Sequence, residues 1–236
     1  METARPPLVS GTLYLVATPI GNLEDITFRA VRTLAECDIV AAEDTRHTSQ
    51  LLRHYNISKP LISYYKFNEA QRSEQIVGRL KRGEKVALVT DAGSPAISDP
   101  GERVVRATLA AGLRVEPVPG PCALIAALTA SGLSTDEFHF VGFLPHKSGQ
   151  RRKRLEALRA VPGTLVLYES PYRIERLLDE LSDLLPERQV VLAREVTKHF
   201  EEFLRGKPSE LRTIAKRRSL KGEFVVLVSS ADFENE

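Results

Sequence analysis

The chain is short of cysteine, of long apolar runs and of excess charge, and each shortage removes a class of protein. Cys37 and Cys122 are the only cysteines in 236 residues. They lie far apart and match no metal-ligand spacing, so buried reduced thiols are expected rather than a disulfide, a redox pair or a structural metal. No apolar run reaches the length that spans a bilayer, and Met1 to Pro7 lacks the charged start and apolar segment of a secretion signal. A cytoplasmic protein without a membrane anchor is therefore expected. The net charge of +2 is too small by itself to argue nucleic-acid binding. Two ligand fingerprints are missing as well, since no GK[ST] Walker ending and no GxGxxG occurs. Neither repeats nor low-complexity segments are visible. Asn, Gln and Met are sparse beside abundant Arg, which hints at a heat-adapted source.

What is present is a globular pattern, with 42% hydrophobic residues and enough length for one large or two modest domains. Short apolar runs end at loops rich in small and acidic residues. Thr12 to Ala17 runs into Thr18-Pro19-Ile20-Gly21, and Asp38 to Ala42 into Glu43-Asp44-Thr45-Arg46-His47. Val86 to Val89 delivers Thr90-Asp91-Ala92-Gly93-Ser94-Pro95 and then Ser98-Asp99-Pro100-Gly101, and Arg114 to Val118 precedes Pro119-Gly120-Pro121-Cys122. Buried strands that end this way deliver loops to the carboxyl edge of a sheet, where open α/β folds bind ligands. Gly93 permits close backbone approach, and Asp99 is read as the cap of a helix opening at Pro100. The PGP turn feeds a helix over Ala123 to Ala130, whose free amides suit an anion such as a carboxylate. Each loop also has a plain reading as a tight connection. Asp44 or Thr45 equally serves as the cap of a helix running through His54.

Helical spacing covers Ile26 to Glu36, Glu69 to Arg82 and Val104 to Ala111, so strands and helices alternate to about Ser134. A mainly parallel, doubly covered sheet is expected there. A boundary is placed near Leu133 to Glu137, giving domains of 11–134 and 135–230. Beyond it, strands at Phe138 to Phe143, Thr164 to Tyr168, Val190 to Arg194, Thr197 to Arg205 and Glu223 to Val228 suggest a mixed sheet. Helices are read over His146 to Arg159, Pro171 to Leu184 and Ser209 to Lys216. Positive charge gathers in His146 to Arg154 and in Arg212 to Lys221, either as phosphate contacts or as solvated helix faces.

Taken together and in order, ATPIGNLEDIT, AAEDTRHT, VTDAGSPAISDPG, VPGPCALIAAL, GFLPHKSGQRRKR, YESPYRI and AREVTKHFEE resemble the ribosomal RNA small-subunit methyltransferase I family, within the tetrapyrrole (corrin/porphyrin) methylase superfamily. The likeness runs from Gly11 to Val228. It implies a two-domain α/β protein, usually a homodimer, that binds S-adenosylmethionine in a cleft between its domains. The implied reaction is 2′-O-methylation of a cytidine in the decoding centre of 16S rRNA, on naked rRNA or on the small ribosomal subunit. Gly93, Ser94 and Pro95 stand where the superfamily commonly writes GDP, which fits the RNA branch and weakens transfer of corrin-specific contacts. The chain also lacks the carboxyl-terminal helical segment of many relatives, so any RNA grip from it is expected to be absent or replaced.

The resemblance makes Pro19, Ile20, Gly21, Asp91, Ala92, Gly93, Ser94, Pro95, Pro121, Cys122 and Ala123 the expected cofactor wall, with no metal required. Loss of a proton from a ribose hydroxyl calls for a carboxylate or a desolvated lysine; Glu43, Asp44, Glu195 and Lys198 are the candidates. Glu195 and Lys198 equally read as an ion pair. Arg46, Arg173 and Arg194 are expected at phosphates of the target, and Lys147, Arg151, Arg152 and Arg154 at RNA outside the cleft. Tyr65, Phe67, Tyr168 and Tyr172 are candidates for stacking on a displaced base, or for core. Two rivals stand beside this reading. One is a C-methyltransferase for a tetrapyrrole, and the other a non-catalytic RNA-binding assembly factor on the same fold.

Overall fold

The computed structural model describes residues 6–218 and 220–233. The chain forms two compact units, the first ending at Cys122 and the second starting at Ala123. The first contains β1 (Thr12–Val16), α1 (Phe28–Glu36), β2 (Ile39–Ala42), α2 (Thr45–His54), β3 (Leu61–Ser63), α3 (Glu69–Lys81), β4 (Val86–Val89), α4 (Glu102–Ala110) and β5 (Arg114–Val118). Its sheet has the order β3-β2-β4-β1-β5, and every pairing is parallel. Strand side chains alternate between the two faces, so each strand feeds two cores. Tyr14, Val16, Val40 and Ala42 pack with Ala30 and Leu34 of α1 and Leu52 of α2. Leu13, Ile39, Ala41 and Leu88 pack with Ile76 and Leu80 of α3 and Val104 of α4.

That division has a topological consequence. The helix leaving β4 covers the face opposite to those leaving its neighbours β1 and β2. Helices departing to opposite faces open a crevice at the carboxyl ends of adjacent strands, so β4 is flanked by a switch point on each side. Pro117 sits in β5, the edge strand, where its missing amide leaves no ladder position vacant.

The second unit contains α5 (Ala123–Thr129), β6 (Phe138–Phe143), α6 (Ser148–Leu158), β7 (Thr164–Glu169), α7 (Ile174–Leu184), β8 (Val190–Arg194), β9 (Glu202–Gly206), α8 (Pro208–Arg217) and β10 (Phe224–Val228). Its sheet runs β6-β7-β10-β8-β9, parallel only between β6 and β7. The expected α/β class with a parallel and a mixed sheet is thus observed. The core lies between the sheet and α6, α7 and α8, with Leu155, Leu165, Leu167, Leu177, Leu181, Leu192, Leu211 and Val226 buried together. Helix α5 packs against β7 and β10 and so belongs to this unit. The Leu124 amide donates to Tyr168 Oη at 3.3 Å, and Arg205 donates to the carbonyls of Ala130 and Ser131.

Two local expectations are corrected. The strand read over Thr197 to Arg205 begins only at Glu202. Glu195 and Thr197 adopt left-handed backbone with φ of 50° and 68°, and Lys198 bonds back to Glu195, so the chain turns where extension was expected. Likewise Asp99 does not cap α4. The cap position is Gly101, and the loop between Pro95 and Gly101 is longer than a simple strand-to-helix turn.

Candidate active site

Three loops of the first unit meet at the crevice between β4 and β1. Thr18 and Gly93 form an isolated bridge, exchanging backbone hydrogen bonds of 2.9 and 3.0 Å. Thr18 Oγ1 also donates to the Thr90 carbonyl at 3.1 Å, and Ser94 Oγ donates to the Pro121 carbonyl at 3.2 Å. Gly93 has a φ of 89°, and a Cβ there would stand 3.4 Å from Ile20 Cγ2 and 3.7 Å from the Pro121 oxygen. A side chain would therefore be both strained and set into the gap between the loops. Ile20 and Pro95 are buried, while Gly21 and Ala92 face solvent. The structure thus brings together Pro19-Ile20-Gly21, Asp91 to Pro95 and Pro121-Cys122. Ala123 follows directly as the first residue of α5.

On the other side of β4 lies a group of carboxylates. Glu43 Oε2 accepts from Thr90 Oγ1 at 2.7 Å, and Asp91 Oδ1 accepts from the Asp44 amide at 3.0 Å. Asp44 caps α2 by accepting from the Arg46 amide, and it also takes a two-pronged contact from Arg46 Nε and Nη2 at 3.1 and 2.7 Å. The Arg46 guanidinium holds the Asp44 carboxyl well below the usual range. Asp99 moves the opposite way. Burial pushes its carboxyl up to about 6, the nearby Thr90 hydroxyl opposes the rise, and the charges of Glu43 and Asp91 add to it. Thr90 and Asp99 are the members that sequence reasoning missed. The available signal was the strand-terminal position of Thr90, immediately ahead of Asp91.

The second unit places the remaining candidates differently. Lys198 Nζ donates to Glu195 Oε1 at 3.0 Å and to Glu223 Oε2 at 2.9 Å. Burial alone would lower the Lys198 pKa, but both carboxylates outweigh it and raise it, so the amine stays charged. Glu195 Oε1 also accepts from the Glu223 amide. Arg194 donates to Glu202 and to the Lys221 carbonyl. Arg173, half-buried, donates to the Leu144 carbonyl at 2.8 Å and pairs with Glu169 at 3.1 Å.

Arg151 corrects the expectation of a uniform basic patch. It is 3% exposed and donates to both oxygens of Glu180 at 2.6 and 2.8 Å, with a further bond to the His146 carbonyl. A guanidinium buried and paired in this way is a core group, closed off from a phosphate. Arg152 pairs with Asp183, whereas Lys147 and Arg154 are exposed and in no ion pair among the described residues. Tyr172 and Phe67 are largely exposed, Tyr65 is partly so, and Tyr168 packs edge-on to Phe140 and Phe143. Cys37 is buried, which pushes its thiol up to about 11, and Cys122 is half-buried; both are free.

A family model described as Tetrapyrrole (Corrin/Porphyrin) Methylases matches residues 12–212. Ribosomal RNA small subunit methyltransferase I of Halalkalibacterium halodurans is 50% identical over 218 residues, covering 92% of this chain and 75% of the relative. The Pseudomonas aeruginosa protein of the same name is 49% identical over 223 residues, with 93% and 79% covered. Among solved structures, diphthine synthase aligns with a TM-score of 0.73 at 17% identity, covering 94% of this chain and 91% of that one. Uroporphyrin-III C-methyltransferase from Thermus thermophilus, complexed with S-adenosyl homocysteine, aligns with a TM-score of 0.65 at 22% identity, covering 92% and 97%. These structural likenesses carry the fold; the sequence matches carry the family. This chain belongs to the ribosomal RNA small subunit methyltransferase I family of the tetrapyrrole methylases.

Proposed function

We propose that the chain transfers a methyl group from S-adenosylmethionine to the 2′-hydroxyl of a cytidine in the decoding centre of 16S rRNA. The observation that supports this most is the convergence of three turns at one switch point of a parallel sheet, in a chain whose relatives are named rRNA methyltransferases. The turns fit the donor chemically. Gly93 leaves a gap that a Cβ would fill, and its neighbours Ala92 and Ser94 have amides that no backbone carbonyl engages among the described residues. Pro19-Ile20-Gly21, Asp91 to Pro95 and Pro121-Cys122-Ala123 would hold it. Bound S-adenosylmethionine supplies a methyl group on positively charged sulfur, ready for in-line displacement.

The chain's own residues then have three tasks: to align the acceptor, exclude water and take up a proton. Of the candidate bases, Asp44 is tied to Arg46, and Glu195 and Lys198 neutralise each other. Glu43 is the member placed beside the cofactor loop, through Thr90. For the RNA, Lys147 and Arg154 present charge that is in no ion pair among the described residues, while Arg152 is paired with Asp183 and Arg46, exposed in the first turn of α2, with Asp44. Arg173 and Arg194 are held by carboxylates and carbonyls, so they shape the second unit more than they offer free charge. A homodimer and a cytoplasmic location complete the reading.

The test uses purified protein, tritiated S-adenosylmethionine and small ribosomal subunits from cells lacking the corresponding methyltransferase. Nuclease digestion should place the label in a 2′-O-methylcytidine. Label on a base or on protein would overturn the assignment. Sedimentation at micromolar concentration reads the oligomeric state.

A further inference from the structure

We propose that the second switch-point crevice, between β4 and β2, seats the acceptor nucleoside, and that Asp99 takes the proton of its hydroxyl. This rests on the methyltransferase reading and goes beyond it by assigning both a pocket and a base.

The first unit has a pocket of about 680 Å³ there, a size suited to a nucleotide. Its floor is formed by Glu43 at the end of β2 and by Ser98, Asp99 and Pro100 of the loop after β4. That loop is the one whose other end, Gly93 to Pro95, lies against the turn after β1. One loop therefore forms a wall of each crevice, and both open at the same carboxyl edge of the sheet, next to each other at the end of β4.

The lining has mixed sign, as a nucleotide site requires. Lys66 from the loop before α3 and Arg103 from α4 are exposed at the rim, and neither is in an ion pair among the described residues. Both are placed to meet phosphates. Phe67, next to Lys66, is 87% exposed, an apolar ring in water beside the same rim. Arg106 is already paired with Glu102.

Within the pocket, Asp99 is singled out by its partners. Glu69 Oε1 accepts from Tyr64 Oη at 3.0 Å and from the Gly101 amide at 3.1 Å, and the Thr90 hydroxyl, which neighbours both Glu43 and Asp99, gives its one proton to Glu43. Asp99 has no cation within ion-pair distance among the described residues, and its charged neighbours are the carboxylates Glu43 from β2 and Asp91 from β4. The backbone holds it there under strain. Ala96 and Ser98 have φ of 67° and 64°, a conformation that costs a residue with a side chain about 1 kcal/mol or more. Burial raises the Asp99 carboxyl to about 6, so it is ionised at neutral pH yet more basic than a free carboxylate. In the reaction the hydroxyl proton passes to Asp99 as the oxygen takes the methyl group. The electron pair of the broken carbon–sulfur bond stays on sulfur. Glu43 acts as a positioning residue that fixes Thr90 and keeps the Asp99 carboxyl basic.

The experiment compares the parent chain with Asp99→Asn and Glu43→Gln. Without any donor, carbon-detected NMR titration of labelled aspartate should find Asp99 titrating near 6, and lower in E43Q, because a neighbouring negative charge has gone. Titration of Asp99 in the ordinary range near 4 would overturn the proposal. In single-turnover transfer to small subunits, the parent rate should rise tenfold per pH unit below about 6 and then level off. D99N should lose about 100-fold or more and lose that inflection. E43Q should keep the inflection and move it to lower pH. Equilibrium dialysis should show S-adenosylmethionine affinity within about threefold of the parent in both variants. A D99N rate within threefold of the parent, with the inflection intact, would sink Asp99 as base while leaving rRNA methylation standing. Failure of the parent itself to methylate rRNA would remove the functional reading and this proposal with it.

Discussion

Arg151 and Arg154 belong to one basic run and do different work. Replacing Arg151 by Ala would leave Glu180 buried without its cation, so the expected loss is about 3–5 kcal/mol in a denaturant titration. Lys147→Glu with Arg154→Glu should leave stability within about 0.5 kcal/mol, since both side chains are exposed. That pair should instead weaken subunit binding and reduce its salt dependence, with donor affinity unchanged. Unchanged RNA affinity in the double variant would make the patch ordinary surface. The distinction was present in the sequence. Arg151, Leu155 and Leu158 lie at positions i, i+4 and i+7 of α6, the spacing of a buried stripe, and all three are buried. Charge counting along the run hides that period. Asp99 is the reverse case, because nothing in its letters shows that Ala96 and Ser98 turn left-handed ahead of it and leave it short of the helix cap at Gly101.

Among elements, the turn from Glu195 to Phe200 departs most from a plain reading of residue types. Val196, Thr197 and Phe200 favour extension, yet the side chains of Glu195 and Lys198 bond to each other and to Glu223, which is distant in sequence. Glu223, which closes the arrangement, lies immediately before β10, and no local pattern announces it. The ion pairs make a signed pH prediction. Burial would raise the Glu195 pKa, but the Glu223 amide and Lys198 outweigh it and lower it, so its contribution is present above about 4.5 and lost as pH falls through its folded value. Lys198 is raised, and its contribution is lost above about 10.5. Lys198→Met should therefore lower the thermal midpoint at pH 7, and the difference from the parent should shrink below about pH 4.5. A deficit that stayed constant down to pH 3 would assign the loss to packing. The strands of the first unit, by contrast, were legible from their letters, because buried parallel strands read as unbroken apolar runs bounded by turn residues.

For the whole molecule, alternation of strands and helices indicated the parallel sheet, and the close-set strands after Val190 indicated the mixed one. Neither periodicity nor composition gives strand order, which depends on contacts between segments far apart in sequence. The order matters for how the chain is made. β1 is the first strand synthesised, and its two neighbours, β4 and β5, are completed only at Val89 and Val118. Both edges of Thr12–Val16 are open to wrong partners until Val89 is made, and one edge until Val118. A nascent chain stalled with less than Val118 clear of the ribosomal tunnel should remain open to protease and bind holdase chaperones. One released beyond that residue should become resistant in a single step. This chain thus emerges from a ribosome with the earliest strand of its first unit waiting on that unit's last, which should make the rate of translation across the first half a determinant of its yield.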